Sequence, residues 1–135
     1  MPTIISRYLG DLRTEQIHVA SGNTLITDAP VDNQGRGEAF SPTDSVCAAL
    51  SACMMTIMGI AARTHQLPIE GMQAEVNKYM SASPRRIERI QIRFYNFPAP
   101  LGEHQRLILE RAALSCPVAL SLAPELVQEI SFDWP

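Results

Sequence analysis

The sequence predicts an α+β fold, with strands and helices laid down in blocks rather than in repeating βαβ units. Three observations carry this. Residues 45–62 hold no charged side chain over eighteen consecutive positions, longer than any strand. Residues 87–97 alternate, with Ile90, Ile92 and Phe94 pointing one way and Gln91, Arg93 and Tyr95 the other, the mark of a half-buried strand. The block order is strands, helix, strands, helices, strand. At 135 residues, of which 46% are hydrophobic, the chain is long enough for one core and too short for two independent ones, so residues 1–135 are expected to form a single domain.

Residues 4–30 read as short strands with turns, Ser21-Gly22 marking one turn and residues 23–28 alternating well enough for a strand. Residues 31–38, VDNQGRGE, form a polar, glycine-rich loop. Gly35 and Gly37 have no third glycine and no strand directly before them, so they make no nucleotide fingerprint. The long helix is expected over residues 41–62, SPTDSVCAALSACMMTIMGIAA, opened by Pro42, whose missing donor costs nothing in a first turn. Residues 63–70 supply its polar end, and Pro68 stops it.

Residues 72–80 and 87–97 then give two strands, and Pro98 and Pro100 break the second. A second helix is predicted over 102–115, with Leu107, Ile108, Arg111 and Leu114 at helical spacings. A third, short helix follows over 118–123 after the Cys116-Pro117 boundary. The tail closes as a strand in which Ile130, Phe132 and Trp134 alternate with Ser131 and Asp133.

The central helix has small or apolar residues on every face, which predicts burial all round. It is only just long enough to span a membrane, contains Ser51, Thr56 and Gly59, and sits mid-chain in a sequence of mean hydropathy near zero. A buried core helix is the expectation. Near its middle lies Cys53, flanked by Ala52 and Met54. A cysteine there is either a small packed hydrophobe or a reactive centre, and its position alone leaves both open.

A net charge of −3 and a pI near 5.5 provide no basic footprint for nucleic acid or an anionic membrane. The start, MPTIISRYLG, has no basic segment followed by an apolar one, so export is not expected. Three cysteines leave at least one unpaired, at spacings that match neither a disulfide framework nor a zinc site. The expected setting is a reducing cytoplasm, where thiol pairs are more often catalytic or redox-sensing than structural.

Cys116 precedes a proline able to open a helix, so on local grounds it is the thiol expected to ionise more easily. Cys53 is mid-helix among apolar residues and would need a cation from elsewhere. Cys47 lies roughly 9 Å from Cys53 along the axis, too far for a disulfide, and is best read as packing. Cys53 and Cys116 are the one sensible pair.

The SPTDxxxAALSAC pattern on the central helix, followed by CPV after a second helix, resembles the OsmC/Ohr superfamily of osmotically induced and organic-hydroperoxide-resistance proteins. YLGDLRTEQIHVASG near the start and CPVALSL near the end fit its OsmC-like branch, and the resemblance covers nearly the whole chain. It implies antiparallel sheets around a long buried helix, two intertwined chains, and thiol-dependent reduction of organic hydroperoxides at the dimer interface. It makes Cys53 the peroxidatic thiolate and Cys116 the resolving thiol. It implies an external dithiol reductant, in family members often a lipoyl group, with no metal and no bound cofactor.

The resemblance further implies an arginine and an acidic residue beside the thiolate. Arg13, in LRTE, is the expected cation, and Arg36 in the loop is its rival; Asp44 is the acidic candidate. The peroxidase pattern has a glutamate where this chain has Thr43, with Asp44 one residue later. Asp44 is equally readable as a first-turn residue favoured by the helix dipole. Nine residues turn a helix by about 900°, placing Asp44 and Cys53 on opposite faces about 13 Å apart along the axis. A shared site would then draw Arg13 or an acid from a second chain.

Glu38 is read first as a solvated loop carboxylate, with steadying an arginine as the alternative, and Met54, Met55 and Met58 are core filler or soft lining for an apolar substrate. His18, His65 and His104 lack ligand spacing. Two functions follow: a cytoplasmic homodimeric peroxidase, or a non-catalytic protein of the same fold whose pocket holds a small apolar or thiol-reactive ligand.

Overall fold

The structure, a computed structural model, describes all residues Met1–Pro135. The chain divides into two compact units, Met1–Val46 and Cys47–Pro135. In the first, β1 (Ile4–Gly10), β2 (Arg13–His18) and β3 (Thr24–Asp28) form an antiparallel sheet in the order β1-β2-β3. The β1–β2 turn puts Asp11 and Leu12 at φ 53° and 62°, the left-handed pair that a tight hairpin requires. It is held by the Leu12 amide donating to the Tyr8 hydroxyl at 3.2 Å and the Ala29 amide donating to the Leu12 carbonyl at 3.1 Å.

After a short 3-10 turn at Val31–Asn33, the glycine-rich loop folds back on Ala29. A Cβ on Gly35 would fall 1.8 Å from the Ala29 carbonyl oxygen, so only glycine allows this approach. In this unit the buried side chains are Thr27, Asp28 and Ser41, while Ile4, Ile5, Tyr8, Leu9 and Leu25 are exposed.

Helix α1 (Pro42–His65) starts with Pro42 at its first position, as expected, and runs three residues past the predicted end. Ser41 and Asp44 cap it reciprocally: the Ser41 amide donates to Asp44 Oδ2 and the Asp44 amide to Ser41 Oγ, both at 3.0 Å. By length and composition α1 is apolar enough to cross a membrane. Its residues Cys47, Leu50, Met54, Met58 and Ala62 nevertheless form a buried stripe packed into a protein core. The expectation of burial on every face fails. Ala49, Ala52, Thr56 and Ile60, at the same helical spacing on another face, are exposed.

The second unit pairs β4 (Gln73–Ala82) with β5 (Arg85–Tyr95) as an antiparallel hairpin, both strands closer to the turn than predicted. Helices α2 (Glu103–Leu114) and α3 (Pro117–Ser121) follow, and β6 (Val127–Phe132) returns beside β5. The expectation of antiparallel sheets holds for β1–β3 and for β4–β5. It fails at β6, which is parallel to β5, because the helical crossover carries the chain back before it pairs.

The alternation read from the sequence places Ile90, Ile92 and Phe94 fully in the core. On the other face Arg89 meets Glu129 at 2.9 Å and stacks on Tyr79, and Arg93 joins Glu75 and Asp133 at 3.0 and 2.9 Å. The predicted face of α2 is rotated. Leu109 and Ala113 are buried, whereas Leu107 and Leu114 are exposed, because apolar residues surround much of this helix and periodicity did not single out one stripe.

Candidate functional site

Two clusters hold the residues singled out in the sequence, one in each unit. In the second unit α1 presents Cys53, half-buried, and the link between α2 and α3 presents Cys116, with no exposed surface. The two thiols lie within hydrogen-bonding reach of each other, and no disulfide joins them. Cys47, on the buried stripe of α1, is core packing, as expected.

Cys116 is the N-cap of α3, and its Sγ accepts the Ala119 amide at 3.3 Å. That local geometry predicted an easily ionised thiol. The structure reverses the prediction: burial pushes the Cys116 thiol up, with the Cys53 hydrogen bond and charge adding to the rise. The amides of Ala119 and Val118 oppose the shift without cancelling it. Cys116 therefore holds its proton more tightly than an ordinary thiol.

In the first unit Arg13 and Asp28 are register partners across β2 and β3. Arg13 Nε and Nη2 donate to Asp28 Oδ1 and Oδ2 at 2.7 and 2.8 Å, and Nη2 also donates to Glu38 Oε1 at 3.0 Å. Asp28 is only 1% exposed and accepts the Glu38 amide as well. The Arg13 guanidinium, hydrogen-bonded to it, holds the Asp28 carboxyl below the usual carboxylate range against the opposing effect of burial. The same bond raises Arg13 above its ordinary value.

Arg36, the rival cation, forms a separate exposed pair with Asp11 at 2.7 Å. Glu38, read first as a solvated loop carboxylate, is exposed and also accepts from Arg13. The carboxylate clasping Arg13 is Asp28, which sequence reasoning missed; Asp44 is engaged at the start of α1. Nothing in the local sequence marks Asp28, since its meaning comes from strand register. Met54 and Met58 are fully buried in the core. A cleft of about 660 Å³ opens along the C-terminal part of α1, lined by residues including Gly59, Ile60, Arg63 and Glu70, and neither Cys53 nor Cys116 lines it.

The profile of the family described as OsmC-like protein matches residues 35–131. Among solved structures, the chain is similar to a Psychrobacter arcticus protein described as a candidate osmotic stress induced and detoxification response protein. The two are 47% identical, with a TM-score of 0.95 and coverage of 98% of this chain and 96% of that one. An organic hydroperoxide resistance protein OsmC from Legionella pneumophila shares the fold at 16% identity and a TM-score of 0.73, over 98% of each chain. An organic hydroperoxide resistance protein from Elizabethkingia anophelis does so at 14% identity and a TM-score of 0.70, over 100% of this chain and 98% of that one. No curated protein matches the chain at a significant level. A family profile spanning most of the chain, a relative sharing nearly half its residues, and the same fold from end to end lead to one assignment: the chain belongs to the OsmC-like protein family.

Proposed function

We propose that the chain is a two-cysteine thiol peroxidase that reduces organic hydroperoxides. The observation that carries this reading is the Cys53–Cys116 contact, which joins α1 to the start of α3 in a member of the OsmC-like family. The Cys53 thiolate attacks the O–O bond of ROOH, releases ROH and becomes a sulfenic acid. The Cys116 thiol then displaces water to form the Cys53–Cys116 disulfide. An external dithiol, with a lipoyl group as the candidate, restores both thiols by exchange. This cycle asks for no metal and no bound organic cofactor.

The proposed enzyme is a homodimer. The exposed stripe Ala49, Ala52, Thr56 and Ile60 and the exposed Ile4, Ile5, Tyr8 and Leu9 support this, since a three-stranded sheet with apolar side chains exposed on both faces needs cover. Arg13 of a second copy is then the candidate cation for the Cys53 thiolate, with Asp44 retained only as the acid implied by family resemblance. A cytoplasmic setting fits thiols that must be returned to the reduced state.

The test is consumption of cumene hydroperoxide with a dithiol reductant, alongside sedimentation. Wild type should turn over as a dimer, and Cys53→Ser should abolish turnover. Cys116→Ser should give one turnover and then stop at sulfenic or sulfinic acid. Wild-type consumption no faster than that of Cys53→Ser would reject the enzyme and return the chain to the ligand-binding reading.

A further inference from the structure

Strand β6 carries one residue that breaks its own pattern. Ile130 and Phe132 face the core of the second unit, in register with Ile92 and Phe94 of β5. The next inward position, in register with the fully buried Ile90, is Gln128, a polar amide where alternation calls for an apolar side chain. Its amide has a specific partner: Gln128 Nε2 donates to the Ala119 carbonyl at 3.0 Å. Ala119 is also the residue whose amide donates to Cys116 Sγ at 3.3 Å.

This matters because α3 has little else to hold it. It is five residues long, shorter than a helix that is stable alone, and none of its residues is fully buried. Val118 and Ala119 pack partly against the core, and the Gln128 bond ties the middle of α3 to the rigid sheet. On the other side of Cys116, its own amide donates to the Ala113 carbonyl at the end of α2. Between these two attachments the sulfur is set against Cys53.

We infer that Gln128 is a positioning residue for Cys116, fixing α3 so that the resolving sulfur meets Cys53. The inference rests on the peroxidase reading for its function, and on the two hydrogen bonds of Ala119 for its geometry. A polar side chain kept at a core-facing position and spent on one backbone carbonyl is the kind of local rule-breaking that marks a supported site. Without it the first chemical step proceeds on Cys53. The second, in which the Cys116 sulfur displaces water from the Cys53 sulfenic acid, meets a misplaced nucleophile.

The test compares wild type with Gln128→Leu, which keeps the bulk and removes the donor. Gln128→Met serves if the first variant does not fold, and thermal melts establish folding in each case. With cumene hydroperoxide, sulfenic acid should form within about twofold of the wild-type rate. Disulfide closure should slow by about tenfold or more, the scale expected for a slightly displaced reacting atom. The fraction of Cys53 driven by a second peroxide to sulfinic acid, read by mass spectrometry, should rise with peroxide concentration.

The same proteins are then treated with diamide, which adds one thiol and is displaced by the other as the S–S bond forms, taking up two electrons and two protons. Slow closure with diamide in the variant supports the positioning role even where wild type shows no peroxidase activity, an outcome that rejects the peroxidase reading alone. Closure at the wild-type rate with diamide, and an unchanged sulfinic fraction with peroxide, would overturn the inference.

Discussion

Arg13 and Asp28 face each other as a cross-strand pair, the guanidinium closing on both carboxylate oxygens at 2.7 and 2.8 Å. Bidentate geometry of this kind fixes orientation as well as charge. Glu38 adds a third contact from an exposed position, so the buried carboxylate sets where the arginine lies and the loop acid trims it. The two Nη1 hydrogens take no part in either ion pair, which leaves the cation with donors to offer.

The clasp makes stability depend on acid pH in a stated direction. The Asp28 carboxyl titrates below its unfolded value, so its contribution is fully present above about pH 4 and is lost as pH falls through the folded value. Asp28→Asn should be less stable than wild type at pH 7, and the gap should close below about pH 4. Urea unfolding at pH 7, 5, 4 and 3 reads this directly. A gap that stays constant across the series would show that the charge on Asp28 contributes nothing.

The reciprocal cap at the start of α1 rests on two side chains, Ser41 and Asp44, each accepting from the other residue's backbone amide. Ser41→Ala should cost about 1 kcal/mol, the usual loss for an N-cap hydroxyl. Asp44→Ala should cost a similar amount, and the two losses should nearly add in the double variant, since each side chain accepts from the other residue's backbone amide, which alanine keeps. Denaturant titration of the four proteins measures the three losses. No loss in Asp44→Ala would place Asp44 outside the cap.

Helix α2 provides a contrast between two leucines two residues apart. Leu109 is fully buried, so Leu109→Ala should cost about 2–5 kcal/mol. Leu107 is 42% exposed, and Leu107→Ala should stay within about 0.5 kcal/mol. The same unfolding measurement separates them. Equal losses would mean that the face containing Leu107 is covered in solution.

What the sequence determined by itself is local and periodic. Pro42 after a short polar residue marked the start of α1, the alternation around Ile92 marked β5, and the uncharged run around Cys53 marked the element that a core would gather around. These are readable because backbone geometry repeats every two or 3.6 residues and water sorts side chains along that repeat. The CPV context likewise marks Cys116 as the start of a helix.

Tertiary structure decided whatever depends on residues distant in the chain. Strand register, not any motif, set Asp28 opposite Arg13 and left Asp44 to the helix cap. Local reasoning made Cys116 the easier thiol to ionise; burial, which no neighbouring residue reports, makes it harder to deprotonate than an ordinary thiol. Gln128 is set against Ala119 by the return of β6 beside β5, a meeting that no local pattern marks. Each case has the same physical origin: desolvation and pairing are properties of the space around a group, and that space is assembled from segments whose meeting the local sequence does not encode.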